Sequence, residues 1–496
     1  MSEFREYATY DGHGLAELIR RGHVSRAEVL ESAIARITAN NPRVNAVVRT
    51  RYDKARAESP RAEGPFAGVP FLLKDLHVTV SGEITSAGSR FFADALASQD
   101  SELTRRYREA GLVILGQTNT PELGMLPVTE PVQFGAAKNP WDTGRTPGGS
   151  SGGAAAAVAA GMVPFAHGSD GGGSIRIPAA CCGLFGLKPT RGRVPPGPDA
   201  SERWSGFSQE HVLSRSVRDS AAALDVTAGP GVGAPYWAPP PAGRYVDELE
   251  LEPGALRIAL VVEPALSAGV DRDCLRAARD AAELCESLGH RVVEVAPDHD
   301  RRELAAAFLT VIAAHTAADV EAAERARGRR AGAGDLETKT WLAALLGRQL
   351  RATDLAAAVR TLQAESRRIA DRFDAYDAIL SPTLGRVALP HGALHSKGVL
   401  GAVERAIIRG GVGPALRLPG VIQRAAESTF SVAAFTPLAN FTGRPSMSVP
   451  LWWNAEGLPV GAMFTGRFGD EATLFRLAAQ LETARPWFHR TAPLAA

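Results

Sequence analysis

The chain is poor in cysteine and lysine and carries no excess of charge of either sign. Four cysteines (Cys181, Cys182, Cys274 and Cys285) among 496 residues are too few for a disulfide framework, and the adjacent pair does not have a metal-binding spacing. A reducing compartment, and with it a cytoplasmic location, is expected. Fifty-five Lys and Arg stand against 54 Asp and Glu, a net charge of +1. That balance lacks the electrostatic excess on which nucleic-acid and anionic-membrane binding draw, so neither partner is expected and a small uncharged molecule fits better. Long apolar runs are also missing. The longest, residues 152–166, is rich in Ala and Gly and broken by Pro164, whereas a spanning helix needs about 20 apolar residues. The first eleven residues hold Glu3, Glu6 and Asp11 and no apolar stretch of about 7 to 15 residues, so no secretory leader is expected. His391 and His395 have i, i+4 spacing, but Pro390 and Gly392 argue against the helix that would put both on one face, and no metal is expected.

What is present is globular material: 45% hydrophobic and 22% charged residues, enough for a sizeable core. At about 100 to 200 residues per domain the length points to several domains, with a single large α/β enzyme as the alternative. Ser25 and Glu28 form a capping box, and Val29, Leu30, Ala33 and Ile37 follow at helical spacing. Apolar runs too short for helices predict strands at residues 69–73, 112–115, 184–187, 256–262, 292–295, 378–380 and 460–464, besides one in the first fifty residues. Helical stretches between them argue an α/β fold with a large mixed sheet and helices on both faces. Residues 229–243 are rich in Pro and Gly and predict a loop, residues 302–374 predict long helices, and residues 398–420 predict a loop or short helices at a pocket rim.

The chemistry is concentrated where glycines crowd. One segment, Gly148-Gly149-Ser150-Ser151-Gly152-Gly153, runs into an Ala-rich helix over 154–161. Another, Gly168-Ser169-Asp170-Gly171-Gly172-Gly173-Ser174-Ile175-Arg176, runs into an apolar helix and a strand. Glycine lets the amides of Gly171, Gly172, Gly173 and Ser174 point one way, the geometry of an oxyanion hole, with Ser174 placed to attack a carbonyl beside them. A GGGS linker is the competing interpretation, but linkers are not followed by IRIPAACCGLFGL. A serine nucleophile needs a base. His77 and His167 are candidates, each also explicable as structural. Lys74 is the stronger one: among only six lysines it sits in the apolar run Val69-Pro-Phe-Leu-Leu-Lys74-Asp75, where burial favours the neutral amine. The alternative is a Lys74–Asp75 pair at a strand end.

FAGVPFLLKDL at 66–76, GQTNTPELG at 116–124, KNPWDTGRTPGGSSGG at 138–153, SDGGGSIRIPAACCGLFGLKPT at 169–190 and the tail at 441–482 together resemble the amidase signature family over nearly the whole chain. Within it, residues 186–198 and 481–490 are most similar to bacterial hydrolases of the 6-aminohexanoate cyclic-dimer type. The resemblance implies one amidase-signature domain over 1–496, with a core at about 60–225 joined by about 425–490 and a variable helical middle at about 230–425. It implies a serine hydrolase of a C–N amide-type bond (amide, oligoamide, anilide or carbamate) working through an acyl-enzyme, without cofactor. Ser174 would be the nucleophile, Ser150 the bridging serine after a cis peptide, and Lys74 the base. Ser151 would support Lys74 by hydrogen bonding, and Asp170 and Arg176 would hold the glycine loop. Lys188, in GLKPT, carries no catalytic role. Gly124 and Met125, the loop after residue 193 and the middle region are expected to form the substrate pocket, and the partner is a small-molecule amide, ester or carbamate. A homodimer stays open.

Competing functions are weaker. Gly149–Gly153 fits the G-x-S-x-G elbow of α/β-hydrolases, but no strand is signalled before it and no later His and acid are nominated. A P-loop lacks its Gly-Lys-Ser/Thr. The A subunit of a glutamine-dependent tRNA amidotransferase would need partner chains and a glutamine pocket, and an inactive amide-binding member of the fold would be expected to have lost one of Lys74, Ser150 and Ser174.

Overall fold

The computed structural model describes residues 4–58, 63–266, 269–332, 334–396, 426 and 430–494. The expected rim segment at 398–420 lies outside the described residues. Near the N-terminus, the Arg26–Val44 helix starts as its sequence predicts. The Ser25 hydroxyl accepts from the Glu28 amide, and the Glu28 carboxylate accepts from the Ser25 amide at 2.9 Å. Among the described residues eleven strands follow in chain order: β1 Val47–Thr50, β2 Pro70–Lys74, β3 Val113–Thr118, β4 Phe165–Asp170, β5 Phe185–Lys188, β6 Gln209–Ser214, β7 Arg257–Leu260, β8 Arg291–Glu294, β9 Ala378–Pro382, β10 Ser446–Trp453 and β11 Pro459–Gly466.

All the strands signalled by short apolar runs are present. β4, β6 and β10 are additional: FAHGSD and QEHVLS carry no continuous apolar run, whereas the apolar residues of SMSVPLWW fall in its second half, with Pro450 among them, and the polar residues of β4 and β6 are buried. Beside the expected large mixed sheet the strands form a second, smaller one. β1, β3 and β2 make a three-stranded sheet, and the other eight make a mixed sheet in the order β4-β6-β5-β10-β11-β9-β7-β8. β7 is parallel to β8 and β9, and the remaining neighbours are antiparallel. Helices cover both faces of this larger sheet. Successive side chains alternate between faces, and on β11 a Cβ at Gly461 would meet Ala180 of the Arg176–Cys182 helix, whereas one at Gly466 would meet Leu474 of the Glu471–Ala484 helix. Residues 229–243 form no helix or strand.

The middle region holds the predicted long helices, Arg301–Arg327, Thr338–Gln349 and Ala352–Arg372. By length and composition the first is apolar enough to cross a bilayer, but 61% of its most apolar stretch is buried inside the fold. Phe308 and Val311 on this helix are fully covered by the core. The helix does not show as one long apolar run because Thr310, His315, Thr316 and Asp319 interrupt its apolar stretch. One apolar core joins the two sheets, running from Phe71 and Leu115 through Phe165 and Leu213 to Val449 and Leu477.

Candidate active site

The site forms where the end of β2 meets the end of β4 and the loop that follows it. In the antiparallel pair of β4 with β6, Ser169 lies opposite Glu210 and His167 opposite Val212. Directly opposed residues share a face, and so do residues two apart along a strand. That register puts His167, Ser169 and Glu210 on one surface, and Lys74 at the end of β2 reaches it. The Lys74 side-chain nitrogen donates to the Ser150 hydroxyl at 2.7 Å and to the Ser169 hydroxyl at 2.8 Å. Lys74 is fully buried, and burial lowers its pKa to about 7, against an opposing pull from the Glu210 and Asp170 carboxylates.

Asp75 faces away. Its carboxylate accepts from the Ser86 amide and hydroxyl and the Gly88 amide, with Arg49 at 3.3 Å. The alternative Lys74–Asp75 pairing is thereby excluded. Behind Lys74, its backbone amide donates to His167 Nδ1 at 3.3 Å. The proton of this imidazole is therefore on Nε2, which lies 3.1 Å from Glu210. Glu210 also receives His77 Nδ1 at 3.3 Å. Burial would raise the Glu210 pKa, but the hydrogen bonds from His167 and His77 hold it well below the usual carboxylate range. Burial, reinforced by the charge on Arg203, lowers His77 to about 4. His77 and His167 thus serve as partners of Glu210.

The two serine-bearing segments meet over this floor. The peptide bond between Gly149 and Ser150 is cis. The Ser151 amide donates to the Ser174 carbonyl at 3.2 Å, tying one glycine-rich segment to the other. Ser151 departs from its expected role. Its hydroxyl bonds the carbonyl and amide of Ser169, both at 3.2 Å. The second hydroxyl on Lys74 belongs to Ser169, which sequence reasoning missed because β4 was not visible as a strand.

Asp170 and Arg176 bond within and around the glycine loop, and both are fully buried. The Asp170 carboxylate accepts from the amides of Gly173, Ile175 and Arg176 and from Arg176 Nε and an Arg176 terminal nitrogen at 2.9 and 2.8 Å. Burial opposes ionisation, but the Arg176 charge and hydrogen bonds, joined by Asn440, keep Asp170 far below the usual carboxylate range. Arg176 continues to the Thr436 carbonyl at 2.8 Å and Asn440 Oδ1 at 2.7 Å, and the Thr436 hydroxyl returns to the Gly172 carbonyl at 2.7 Å. Removing one partner of such a buried pair typically costs about 3–5 kcal/mol. Asp170→Ala should therefore lower unfolding stability by about that amount in urea titration.

Because the Gly173 amide is taken by Asp170 at 2.7 Å, the expected four-amide oxyanion hole is corrected at that position. The amides of Gly171, Gly172 and Ser174 donate to no partner among the described residues and stay available. Gly173 instead permits a close approach. Its φ is +123°, and a Cβ there would lie 2.2 Å from the Thr436 hydroxyl, so the loop is built around a residue with no side chain. Trp204 packs on Gly171 and Phe308 on Gly172, so the loop after residue 193 and the long middle helix both touch the glycine loop. The Ser174 hydroxyl is half-buried and makes no hydrogen bond among the described residues.

Gly124 adjoins the Ser150 side chain; a Cβ on it would stand 3.2 Å from the hydroxyl. Met125 accepts a hydrogen bond from Thr316 of the long helix at its sulfur. Lys188 is buried and donates to the Pro189 carbonyl at 2.7 Å, apart from the serine cluster. His391 and His395 both face Glu130 from a turn, and no three-residue metal-ligand cluster occurs among the described residues.

A buried amine on a serine, beside amides and a serine hydroxyl that bond nothing among the described residues, is an arrangement that can serve hydrolysis. The amidase family model matches residues 28–409, and the chain belongs to the amidase signature family. It is an amidase, an enzyme that hydrolyses carbon–nitrogen bonds. The chain is 38% identical to the 6-aminohexanoate-cyclic-dimer hydrolase of Pseudomonas sp. (strain NK87) over 489 residues, 97% of this chain and 96% of that protein. It is also 38% identical to the putative amidase AmiB2 of Mycobacterium tuberculosis, over 96% of each chain. Among solved structures, a 6-aminohexanoate cyclic dimer hydrolase complexed with substrate superposes with a TM-score of 0.88 at 35% identity, covering 99% of this chain and all of that one. A bacterial aryl acylamidase gives 0.85 at 27% identity, over 98% of both.

Proposed function

We propose that the protein cleaves a small uncharged amide, of the oligoamide or anilide type, through a Ser174 acyl-enzyme, with Ser150 and Lys74 as the proton relay. The contact that carries this proposal is the 2.7 Å bond from the buried Lys74 amine to Ser150, because only a neutral amine can take the serine proton. Lys74, with a pKa of about 7, supplies a neutral fraction at ordinary pH. Lys74 takes the proton of Ser150, Ser150 takes that of Ser174, and the Ser174 oxygen adds to the carbonyl carbon. The negative charge that develops on the carbonyl oxygen is received by the amides of Gly171, Gly172 and Ser174. As the tetrahedral intermediate collapses, the C–N bond breaks and Ser150 returns a proton to the departing amine. Water then enters, the relay removes its proton, and the ester to Ser174 is hydrolysed. The Ser150–Ser174 hydrogen bond this requires forms on substrate binding, since catalytic contacts in free enzymes are often long. The substrate class draws support from the oligoamide and acylamide relatives and from Trp204 and Phe308 at the loop.

Ser150→Ala tests the relay. An amine leaves only when protonated, whereas an ester alkoxide leaves with less help. The variant should lose kcat on an anilide by at least about tenfold more than on the ester of the same acyl group, with KM little changed. Equal losses would show that the leaving group is protonated by another route. Glu210→Gln tests the electrostatics around the base. The Glu210 charge raises the pKa of Lys74, so removing it favours the neutral amine and should move the acid limb of the kcat/KM profile to lower pH, with the plateau kept. A limb that stays in place or moves upward would separate Lys74 from the rate-controlling ionisation.

A further inference from the structure

Behind the glycine loop, between the C-terminal half of the Ala352–Arg372 helix and the ends of β7, β9 and β11, lies a cavity of about 250 Å³. A single water needs only about 10–15 Å³ on this scale, so the space suits a molecule of several heavy atoms. None of Lys74, Ser150 and Ser174 lines it.

Its floor is apolar, built from Ile369, Phe373, Ile379, Phe435, Leu438 and Met463. Its charged lining comprises four carboxylates, Glu263, Asp298, Glu365 and Asp371, against two guanidiniums, Arg368 and Arg372. All of these charges except that of Glu365 are exposed at the mouth. Arg368 and Asp298 are paired at 3.4 Å on the outside, with side chains 58% and 73% exposed. The inner titratable groups are Glu365 and His299, whose side chains are only 7% and 5% exposed, and the buried Ser381 and Thr465 line the same space. Glu365 gives one oxygen to Arg368 at 3.3 Å, while its other oxygen stands 3.8 Å from His299 Nδ1, beyond hydrogen-bonding distance. His299 Nε2 is buried in the same wall without a partner among the described residues. A buried polar group in that condition calls for a ligand or a water.

We propose that this cavity is a second ligand site, which takes a small primary ammonium ion carrying an unbranched apolar body. The ammonium donates to the open Glu365 oxygen, where the surplus of carboxylates favours a cation and disfavours an anion. The apolar body lies on Ile379, Phe435 and Met463. An amidase releases an amine as one of its two products, so the site matches the chemical class of its own leaving group. It also adjoins the reaction loop: Met463 accepts from Arg176 at 3.4 Å, and Phe435 precedes the Thr436 that holds both Arg176 and Gly172. An occupant therefore touches the residues that fix the glycine loop.

The test is titration calorimetry of the whole protein with hexylammonium chloride, hexanoate and hexanol. Hexylammonium should bind at least about tenfold tighter than either of the others, the equivalent of 1.4 kcal/mol. Glu365→Gln should weaken hexylammonium at least about tenfold while leaving turnover without added amine as it is. His299→Gln provides a second variant if Glu365→Gln fails to fold, and it too should weaken binding. Saturating hexylammonium should change kcat in the wild type and not in Glu365→Gln. Equal binding of hexanoate or hexanol, or wild-type affinity in both variants, which would place the amine in the reaction cleft, overturns the site. Binding with kcat unchanged overturns its link to the loop. None of these outcomes depends on which serine is the nucleophile, which is tested separately.

Discussion

Ser174→Ala should reduce kcat by about a millionfold, to the residual rate that bound substrate and oxyanion amides support without a nucleophile. Among the described residues, the Ser174 hydroxyl makes no hydrogen bond and lies beside three amides that donate to no partner. Ser150 and Ser169 are each engaged with Lys74, and Ser151 with the backbone of Ser169. Because the Ser174 side chain is small and half-buried, the variant should keep the wild-type unfolding midpoint, which separates lost chemistry from lost folding. Mass spectrometry after fluorophosphonate treatment checks the same point. The adduct is expected on the peptide containing Ser174 and absent from the variant. A labelled variant, or an adduct on Ser150, would overturn the assignment.

Lys74→Ala should cost about 10²- to 10⁴-fold, the usual contribution of a general base. Lys74→Arg should fail to restore the rate at any working pH, because a guanidinium stays protonated. The two variants distinguish a base from a positive charge that merely stabilises the loop, since a charge requirement would be met by Arg. The pH profile of the wild type carries the sign. The reactive form is the neutral amine, so kcat/KM should be low where Lys74 is protonated, rise through pH about 7 and level off above it. A rise centred near the free-lysine value of about 10.4 would mean that burial does not set the base. If Lys74→Ala keeps more than a few per cent of the wild-type rate at its best pH, His77 or His167 must supply the base, against their present attachment to Glu210.

The class of fold and the proposed reacting groups are legible in the amino-acid sequence alone. Ser150, Ser174 and Lys74 stand in flanks whose order and composition leave few alternatives, and the capping box at Ser25 and the short apolar strands are local signals that depend on nearest neighbours. The glycines between 168 and 173 announced a close approach, and Asp170 and Arg176 were legible as the residues that hold it. Whatever depends on partners distant in sequence was settled by packing in three dimensions. β4 and β6 turn polar side chains inward, so neither shows an apolar run, and Ser169, Glu210 and the attachments of His77 and His167 stayed hidden with them. Ser151 proved to bond Ser169 instead of Lys74, and the Gly173 amide proved to belong to Asp170. Thr436 and Asn440, more than 250 residues from the loop they brace, carry no local signal at all. The same holds for the ionisation of Lys74. The residue type says that an amine is present, but its pKa is set by how completely the surrounding chain excludes water and by where the nearest carboxylates come to rest, and both are properties of packing.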